Sequence, residues 1–443
     1  MSAARASEIA QRFDLRDLPE DFFANPYPVY DWLREHEPIR RMPDGSLFLT
    51  RYADLVSVYR DAQRFSSDKQ AEFTPKFNQR PFGSASQENS NTPLYEHHTT
   101  SLVFNDPPLH TRVRRIIMGA LSRRAIADME TELRSLVQSL LDDMAQRGGG
   151  CLIEDFASAI PVEVIGNLLG VPHHERAPLR GWSLAILGAL EPKLTAAQEA
   201  AGHQAVSEFK SYLQGLVKDR RQRPGDPEHD VLTRLIQSEQ DDQQRLTETE
   251  LLQNCIFILN AGHETTTNLI GNALVALQEH SEARSELLSK DEHSAQEIQG
   301  LEPDLALKTE PSHARWDIAV DEFLRFESSN QLGNRRATQD FELGGQRYKA
   351  GTLITLCIGA ANRDSAVFER PGELMLSRSP NKHLAFGLGI HQCAGLSLAR
   401  LEGRIALQSF IERFPHYQLT QAPVRGGRAR FRGFLSAPFS VAG

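Results

Sequence analysis

The 443-residue chain is expected to fold as one large, mainly α-helical domain with small β-sheets. Three observations predict this. Apolar residues recur at helical spacing through 125–146, 158–170, 176–190, 196–221 and 247–270. Strand signals are confined to short pieces at 46–50, 341–348 and 353–356. No Gly/Ser/Pro-rich linker divides the chain, although length alone suggests about three domains of roughly 150 residues. The composition, 40% hydrophobic and 24% charged with a net charge of −9, is that of an ordinary soluble protein and excludes nucleic acid as a partner on electrostatic grounds.

Residues 1–25 contain no apolar run long enough for a signal peptide or a membrane span. They are expected to be an N-terminal extension to a body covering 26–443, in a cytoplasmic protein with no membrane anchor. Cys151, Cys255, Cys357 and Cys393 lie far apart, so neither a disulfide framework nor a zinc knuckle is expected. A short helix through Val29, Tyr30 and Leu33, the strand at 46–50 and a helix at 54–63 follow. From 66 to 105 the aromatics Phe73, Phe77, Phe82, Tyr95 and Phe104 are scattered through polar residues without periodicity, the pattern of a long binding loop. Asp106-Pro107-Pro108 then opens a helix on which His110 and Arg114, four apart, share a face.

Breaks at Gly148-Gly149-Gly150, Val171-Pro172 and Glu191-Pro192 separate the next helices. Thr247-Glu248-Thr249-Glu250 is a capping box, and the helix it opens is apolar around nearly its whole circumference, so it should run through the interior. In its middle stands Ala261-Gly262-His263-Glu264-Thr265-Thr266. Glycine and threonines there predict a local distortion, and a carboxylate buried in such a helix is costly unless it serves a function. Residues 281–313 read as a polar surface insertion. Glu322 and Arg325 share a face of the helix at 314–326, and Gly344-Gly345 is the turn of a hairpin.

The remaining stretch carries the most chemistry. Phe386-Gly387-Leu388-Gly389-Ile390-His391-Gln392-Cys393-Ala394-Gly395 runs straight into a helical segment. A cysteine at a helix start faces unpaired N–H groups and the positive end of the macrodipole, which favour thiolate. The glycines before it permit close approach of backbone to a flat ligand. A dinucleotide fingerprint is not formed, because its third glycine falls on Gln392.

The pattern made by Phe386, Gly387, Gly389, Cys393 and Gly395 resembles the haem-binding loop of the cytochrome P-450 superfamily, with Cys393 as proximal iron ligand. The order of the other motifs is similar to that family's, over about 26–439. The resemblance implies the cytochrome P-450 fold, a single helical domain around a buried haem b with cysteine thiolate ligation. It implies an oxygen groove at Ala261 and Gly262, an acid–alcohol pair of Glu264 and Thr265 for proton delivery, and propionate partners at His110, Arg114, Arg335 and His383. It also implies a structural network of Glu322, Arg325 and Arg363.

Thiolate ligation favours O–O cleavage, so the expected reaction is reductive activation of O2 and hydroxylation of a small, mostly apolar molecule such as a fatty acid, terpenoid or aromatic. Phe73, Phe82, Leu187, Asn260, Gln331 and Leu332 are the expected substrate contacts. No flavin or iron–sulfur motif is visible, so electrons are expected from a ferredoxin or flavodoxin and its NAD(P)H-dependent reductase, docking on a basic face of Arg112, Arg115, Arg123, Arg124 and Arg404. The alternatives are a peroxide-driven peroxygenase, a non-catalytic haem sensor, and a hydrolase built on Cys393 and His391.

Overall fold

The structure, a computed structural model, describes residues 1–77, 92–227, 230–237, 246–288 and 311–441. Its helices are α1 (Ala3–Gln11), α2 (Glu20–Ala24), α3 (Tyr27–His36), α4 (Tyr52–Arg60), α5 (Gln70–Phe77), α6 (Pro93–Thr100), α7 (Leu109–Ala120) and α8 (Arg123–Arg147). There follow α9 (Ala159–Leu169), α10 (Leu179–Gly188), α11 (Ala196–Gln222), α12 (Val231–Gln237), α13 (Glu248–Glu279), α14 (Ser281–Leu288), α15 (Pro311–Phe326), α16 (Ile358–Ala361) and α17 (Leu396–Arg413). The short strands are β1 (Ile39–Arg41), β2 (Leu47–Leu49), β3 (Phe65–Ser66), β4 (Gly149–Cys151), β5 (Leu332–Ala337), β6 (Phe341–Leu343), β7 (Gln346–Tyr348) and β8 (Leu353–Cys357). Four more close the chain: β9 (Gln418–Leu419), β10 (Val424–Arg425), β11 (Phe434–Ser436) and β12 (Pro438–Ser440). The chain is mainly helical with small sheets, as its sequence predicts.

The axis of the fold is α13. Its capping box forms in full: Thr247 Oγ1 accepts from Glu250 N at 3.2 Å, and Glu250 Oε2 accepts from Thr247 N at 2.8 Å. At 1.5 Å per residue the helix is about 48 Å long, and nearly every side chain from Leu251 to Leu277 is buried against α6, α9, α10, α11 and α17. The largest sheet has the order β1-β2-β8-β5-β3, with only β2 and β8 parallel. The expected Gly344-Gly345 hairpin joins β6 and β7.

Three sequence expectations need correction. The segment 1–25 is not an appendage: Ala6, Ile9, Ala10, Phe13 and Phe22 are buried with Tyr30, Phe48 and Leu332 in one apolar cluster. The aperiodic stretch 66–105 forms two helices where it is described, α5 and α6, because Phe73 and Leu94 find partners in the main core that local periodicity does not reveal. Of the polar insertion, 281–288 continues as α14 and 311–313 begins α15, while 289–310 lies outside the described residues.

The Glu322–Arg325 pair is fully buried, with Arg325 Nε 2.7 Å from Glu322 Oε2 and Nη2 2.8 Å from Oε1. Its third member is Arg378, whose Nε donates to Glu322 Oε2 at 3.0 Å, and not the expected Arg363. Arg363 instead donates to the Phe326 carbonyl at the end of α15 and stacks over the rings of Tyr27 and Phe326. Carbonyls of a last helical turn lack intrahelical donors, and a guanidinium there is favoured. Removing one partner of a buried pair leaves an uncompensated charge. Arg325→Ala is therefore expected to lower stability by roughly 3–5 kcal/mol, read from urea unfolding midpoints. An Arg325→Ala midpoint equal to that of the unaltered chain would contradict this role.

Candidate active site

Cys393 sits two residues before Gly395, the N-cap of α17, and its N–H donates to Phe386 O at 2.8 Å, closing the loop that presents the sulfur. Gly387 has φ +66° and no close neighbour at its missing Cβ. Gly389 is needed for a different approach, since a Cβ there would stand 2.4 Å from the Tyr59 carbonyl oxygen. The expected thiolate does not arise from the helix start alone. Burial raises the thiol above its ordinary value, and the Gly395 N–H, Arg114 and Arg400 only partly oppose this. A metal ligand must be deprotonated, so the metal itself has to supply the remaining drive.

Around this loop the fold gathers a cationic set. His110 and Arg114 project from one face of α7, Arg335 comes from β5, and His391 from the cysteine loop. The rings of His110 and His391 are 4.2 Å apart. Burial first, then Arg335, His110 and Arg114, drive the His391 imidazole down to about 2, and burial with Arg114 lowers His110. Buried Arg335 lies 5.1 Å over the Tyr59 ring and donates only to Asn334 O. Among the described residues His391 Nε2 has no hydrogen-bond partner, and Asp106, the acid that acts on His110 and Arg335, already binds Ser66 Oγ and Ser67 N. Two arginines set beside two neutral imidazoles, whose ring N–H groups can donate, make a place for an anion. A flat group carrying two carboxylates, with a metal at Cys393, fits these residues, as haem does.

Two members of this set differ from expectation. His383 does not join it: Nε2 stands 3.3 Å from Asp321 Oδ1, which also binds Arg400 Nε at 2.8 Å. His391 takes the place instead. The His-x-Cys spacing was the signal that could have found it, since it puts the imidazole two residues from the cysteine on the same loop.

On α13, Ala261 is exposed and Thr265 half-buried on the same face, and the Thr265 hydroxyl donates to Ala261 O at 2.6 Å. Gly262 was expected to leave room for a ligand, yet a Cβ there would meet Ile165 Cδ1 at 2.5 Å. Its role is to admit α9. Glu264 faces a small cleft bounded by Arg180, His263, Asn268 and Arg428, which Thr265 does not line. Its Oε1 accepts from Arg428 Nη1 at 2.6 Å and its Oε2 has no partner. Burial raises this carboxyl from 4.5 to about 7 against the pull of Arg428. Sequence reading missed Arg428; the arginines at 425, 428, 430 and 432 beside Gly426-Gly427 were its only trace.

The substrate residues divide. Asn260 is buried where α13 meets α6, and Leu187 is buried on α10. Phe73 packs between His98 and Phe104 in the main core. Gln331 and Leu332 do not serve as expected: Gln331 packs against Gly359 and donates to Ser328 O, and Leu332 is buried in the N-terminal cluster. Phe82 lies outside the described residues.

Residues 189–425 match the family model for cytochrome P450. The chain is 32% identical over 428 residues to the polyketide biosynthesis cytochrome P450 PksS of Bacillus subtilis, covering 95% of this chain and 97% of that protein. It is 32% identical to the cytochrome P450 monooxygenase PikC of Streptomyces venezuelae, covering 93% and 89%. Among solved structures, P450BioI in complex with acyl carrier protein ligated to hexadec-9Z-enoic acid superposes with a TM-score of 0.81 at 28% identity, over 96% of this chain and all of that one.

The raised Glu264 carboxyl makes stability depend on pH. The unfolded chain releases this proton near 4.5 and the folded chain near 7, so between these values the native state holds the extra proton. Stability from this group therefore falls as pH rises through that window. Glu264→Gln should flatten the decline by roughly 2–3 kcal/mol, seen by comparing urea midpoints at both ends of the window. An equally steep decline in the variant would assign the pH dependence elsewhere.

Proposed function

Because the chain belongs to the cytochrome P450 family, and is a haem-thiolate monooxygenase on that ground, we propose that it hydroxylates a small, mostly apolar molecule with electrons from a separate protein. The observation that carries this reading is the Cys393 loop gathered with His110, Arg114, Arg335 and His391, in a chain whose central helix exposes Ala261 and half-buried Thr265 on one face. Cys393 would hold the iron. His110, Arg114, Arg335 and His391 would hold the two propionates. Bound haem supplies the reductive activation of dioxygen, and its thiolate ligand favours O–O cleavage.

The chain's own work is to position, to exclude water and to move protons. Thr265 offers a hydroxyl in the groove, now donated to Ala261 O and able to turn outward. Glu264, titrating near 7, holds its proton part of the time at neutral pH and can give it up, which suits a proton donor. Arg428 fixes one carboxyl oxygen and, through Leu184 O, ties α13 to α10. The other oxygen is left for water from the cleft. Phe257 and Ile258, partly buried on α13, make the groove apolar above Ala261. The relatives' names support chemistry on hydrophobic chains: one concerns polyketide biosynthesis, and one solved neighbour carries a long-chain acyl group on acyl carrier protein. A fatty acid, terpenoid or substituted aromatic fits that reading.

The docking face is smaller than its sequence outline. Arg112 pairs with Glu250 at 2.6 Å, and buried Arg404 is held by Asp317 and Glu130. Arg123 carries a side chain outside the described residues. Arg115 and Arg124 are exposed, with exposed Met118 between them in sequence and exposed Ile390 beside the cysteine loop. Exposed arginines and apolar side chains on this part of the chain suit an acidic ferredoxin or flavodoxin.

Two measurements test this function. The reduced protein with carbon monoxide should show the strongly red-shifted Soret band of thiolate ligation, and Cys393→His should lose it; a histidine-type band in the unaltered protein would overturn the assignment. Reversing charge at Arg115 and Arg124 should slow reduction by an acidic ferredoxin about tenfold or more at low salt and weaken its salt dependence. An unchanged rate would remove this face from the docking site.

A further inference from the structure

On the cysteine side of the molecule, α15 and α17 hold an ion pair against the loop that presents the sulfur. Arg400 on α17 donates to Asp321 on α15 through two nitrogens, Nε to Oδ1 at 2.8 Å and Nη2 to Oδ2 at 3.1 Å. The same guanidinium lies 5.0 Å over the ring of Phe386, a cation–π contact. Phe386 is also the residue whose carbonyl receives the Cys393 N–H. His383 completes the group: its ring is 5.6 Å from that of Phe386, and its Nε2 stands 3.3 Å from Asp321 Oδ1.

The charges of this group can be assigned. Ala385 N donates to His383 Nδ1 at 3.2 Å, so in the neutral ring the hydrogen is on Nε2, towards Asp321. Burial alone would raise the Asp321 carboxyl, but His383 and Arg400 hold it below its ordinary value, so it is ionised at neutral pH. Asp321 therefore carries the negative charge that answers Arg400. Arg404, on the next turn of α17, does not compete for it, being held by Asp317 and Glu130.

Arg114 and Arg400 are the cations whose charge favours the Cys393 thiolate. They differ in what balances them. Arg114 stands with His110 and His391, where a dianionic group would neutralise it, whereas Arg400 is balanced by the protein's own Asp321. Its guanidinium is fixed by the two-point pair and by the Phe386 ring, so its charge keeps a constant place beside the loop. Reduction of a thiolate-bound ferric iron takes up one electron and no proton, and so adds one negative charge near Cys393. A fixed cation stabilises the reduced form, and a fixed anion opposes it.

We propose that Arg400 is a positioning residue for the haem-thiolate centre, and that the Asp321–Arg400 pair sets how readily the iron there accepts an electron. Arg400 favours reduction by its charge and braces Phe386, and with it the cysteine loop. Asp321, held in turn by His383, offsets part of that charge. The electron comes from the acidic redox protein, and no covalent bond is made or broken. The inference rests on the haem-thiolate reading and adds the residues that govern its reduction.

The test is a potentiometric titration of haem-loaded protein with dithionite and mediator dyes at low salt. Ferrous-to-ferric ratios are compared at the potential where the unaltered protein is half reduced. Arg400→Gln should lower the ratio about three- to tenfold, and Asp321→Asn should raise it by a similar factor. Combining the two should return it to within about twofold of the unaltered protein. Arg400→Lys, which keeps the charge, should change it less than Arg400→Gln does. Loss of packing alone does not move the two members of one pair in opposite directions. A ratio that fails to fall in Arg400→Gln, or fails to rise in Asp321→Asn, overturns the proposal. A thiolate-type carbon monoxide band in each variant shows the haem site intact. Should Arg400→Gln lose that band, Asp321→Asn decides alone, a raised ratio supporting the pair and any other result overturning it. Absence of the band in the unaltered protein counts against the haem-thiolate reading itself.

Discussion

The site depends on an ion pair it does not contain. Glu322 and Arg325 are withdrawn from water completely, and their mutual attraction offsets that desolvation only because every remaining lone pair and hydrogen is used. Glu322 also accepts from Arg378, Asn381 and Met375 N, and Arg325 donates to the carbonyls of Asn362, Pro371 and Glu373. The irregular segment 362–381 has few elements of its own and is hung on this pair. Asn362 then passes the constraint on, accepting from Leu384 N while its amide donates to Ser328 Oγ. Two residues beyond Leu384 stands Phe386, whose carbonyl receives the Cys393 N–H. A rigid sulfur is thus obtained from a loop.

The central helix keeps two kinds of polarity apart. On the groove face are Ala261 and Thr265, nearly neutral and open. Away from it are Glu264 with Arg428, and Asn260 with His97, each tied to a different neighbouring segment. Burial raises one carboxyl towards 7 and drives one imidazole towards 4, so both favour their neutral forms. Charge is concentrated instead around the cysteine loop, where Arg114 and Arg335 stand beside two imidazoles that burial keeps neutral. That contrast suits a site which must bind a dianionic group on one side and an apolar molecule on the other.

Local signals served well where the physics is local. The capping box at Thr247, the turn at Gly344-Gly345 and the α7 start after Pro108 each depend on a few adjacent residues, and each appears where the sequence puts it. Failures came where a distant partner decides. Phe73 and Leu94 lie in helices because the main core accepts them. His383 and His391 are equally plausible imidazoles by type, and only the packing of the loop against α7 selects His391.

By itself, the sequence determined the helical class, the family and the cysteine loop. These are properties of composition, periodicity and residue order, and none needs a contact between remote segments. Tertiary structure alone decided which arginine completes the buried network, which histidine joins Arg114 and Arg335, that Gly262 serves α9, and that Asn260 gives its amide to His97. Each of those outcomes rests on a distance between segments far apart in the chain, and on the requirement that buried polar groups find partners there.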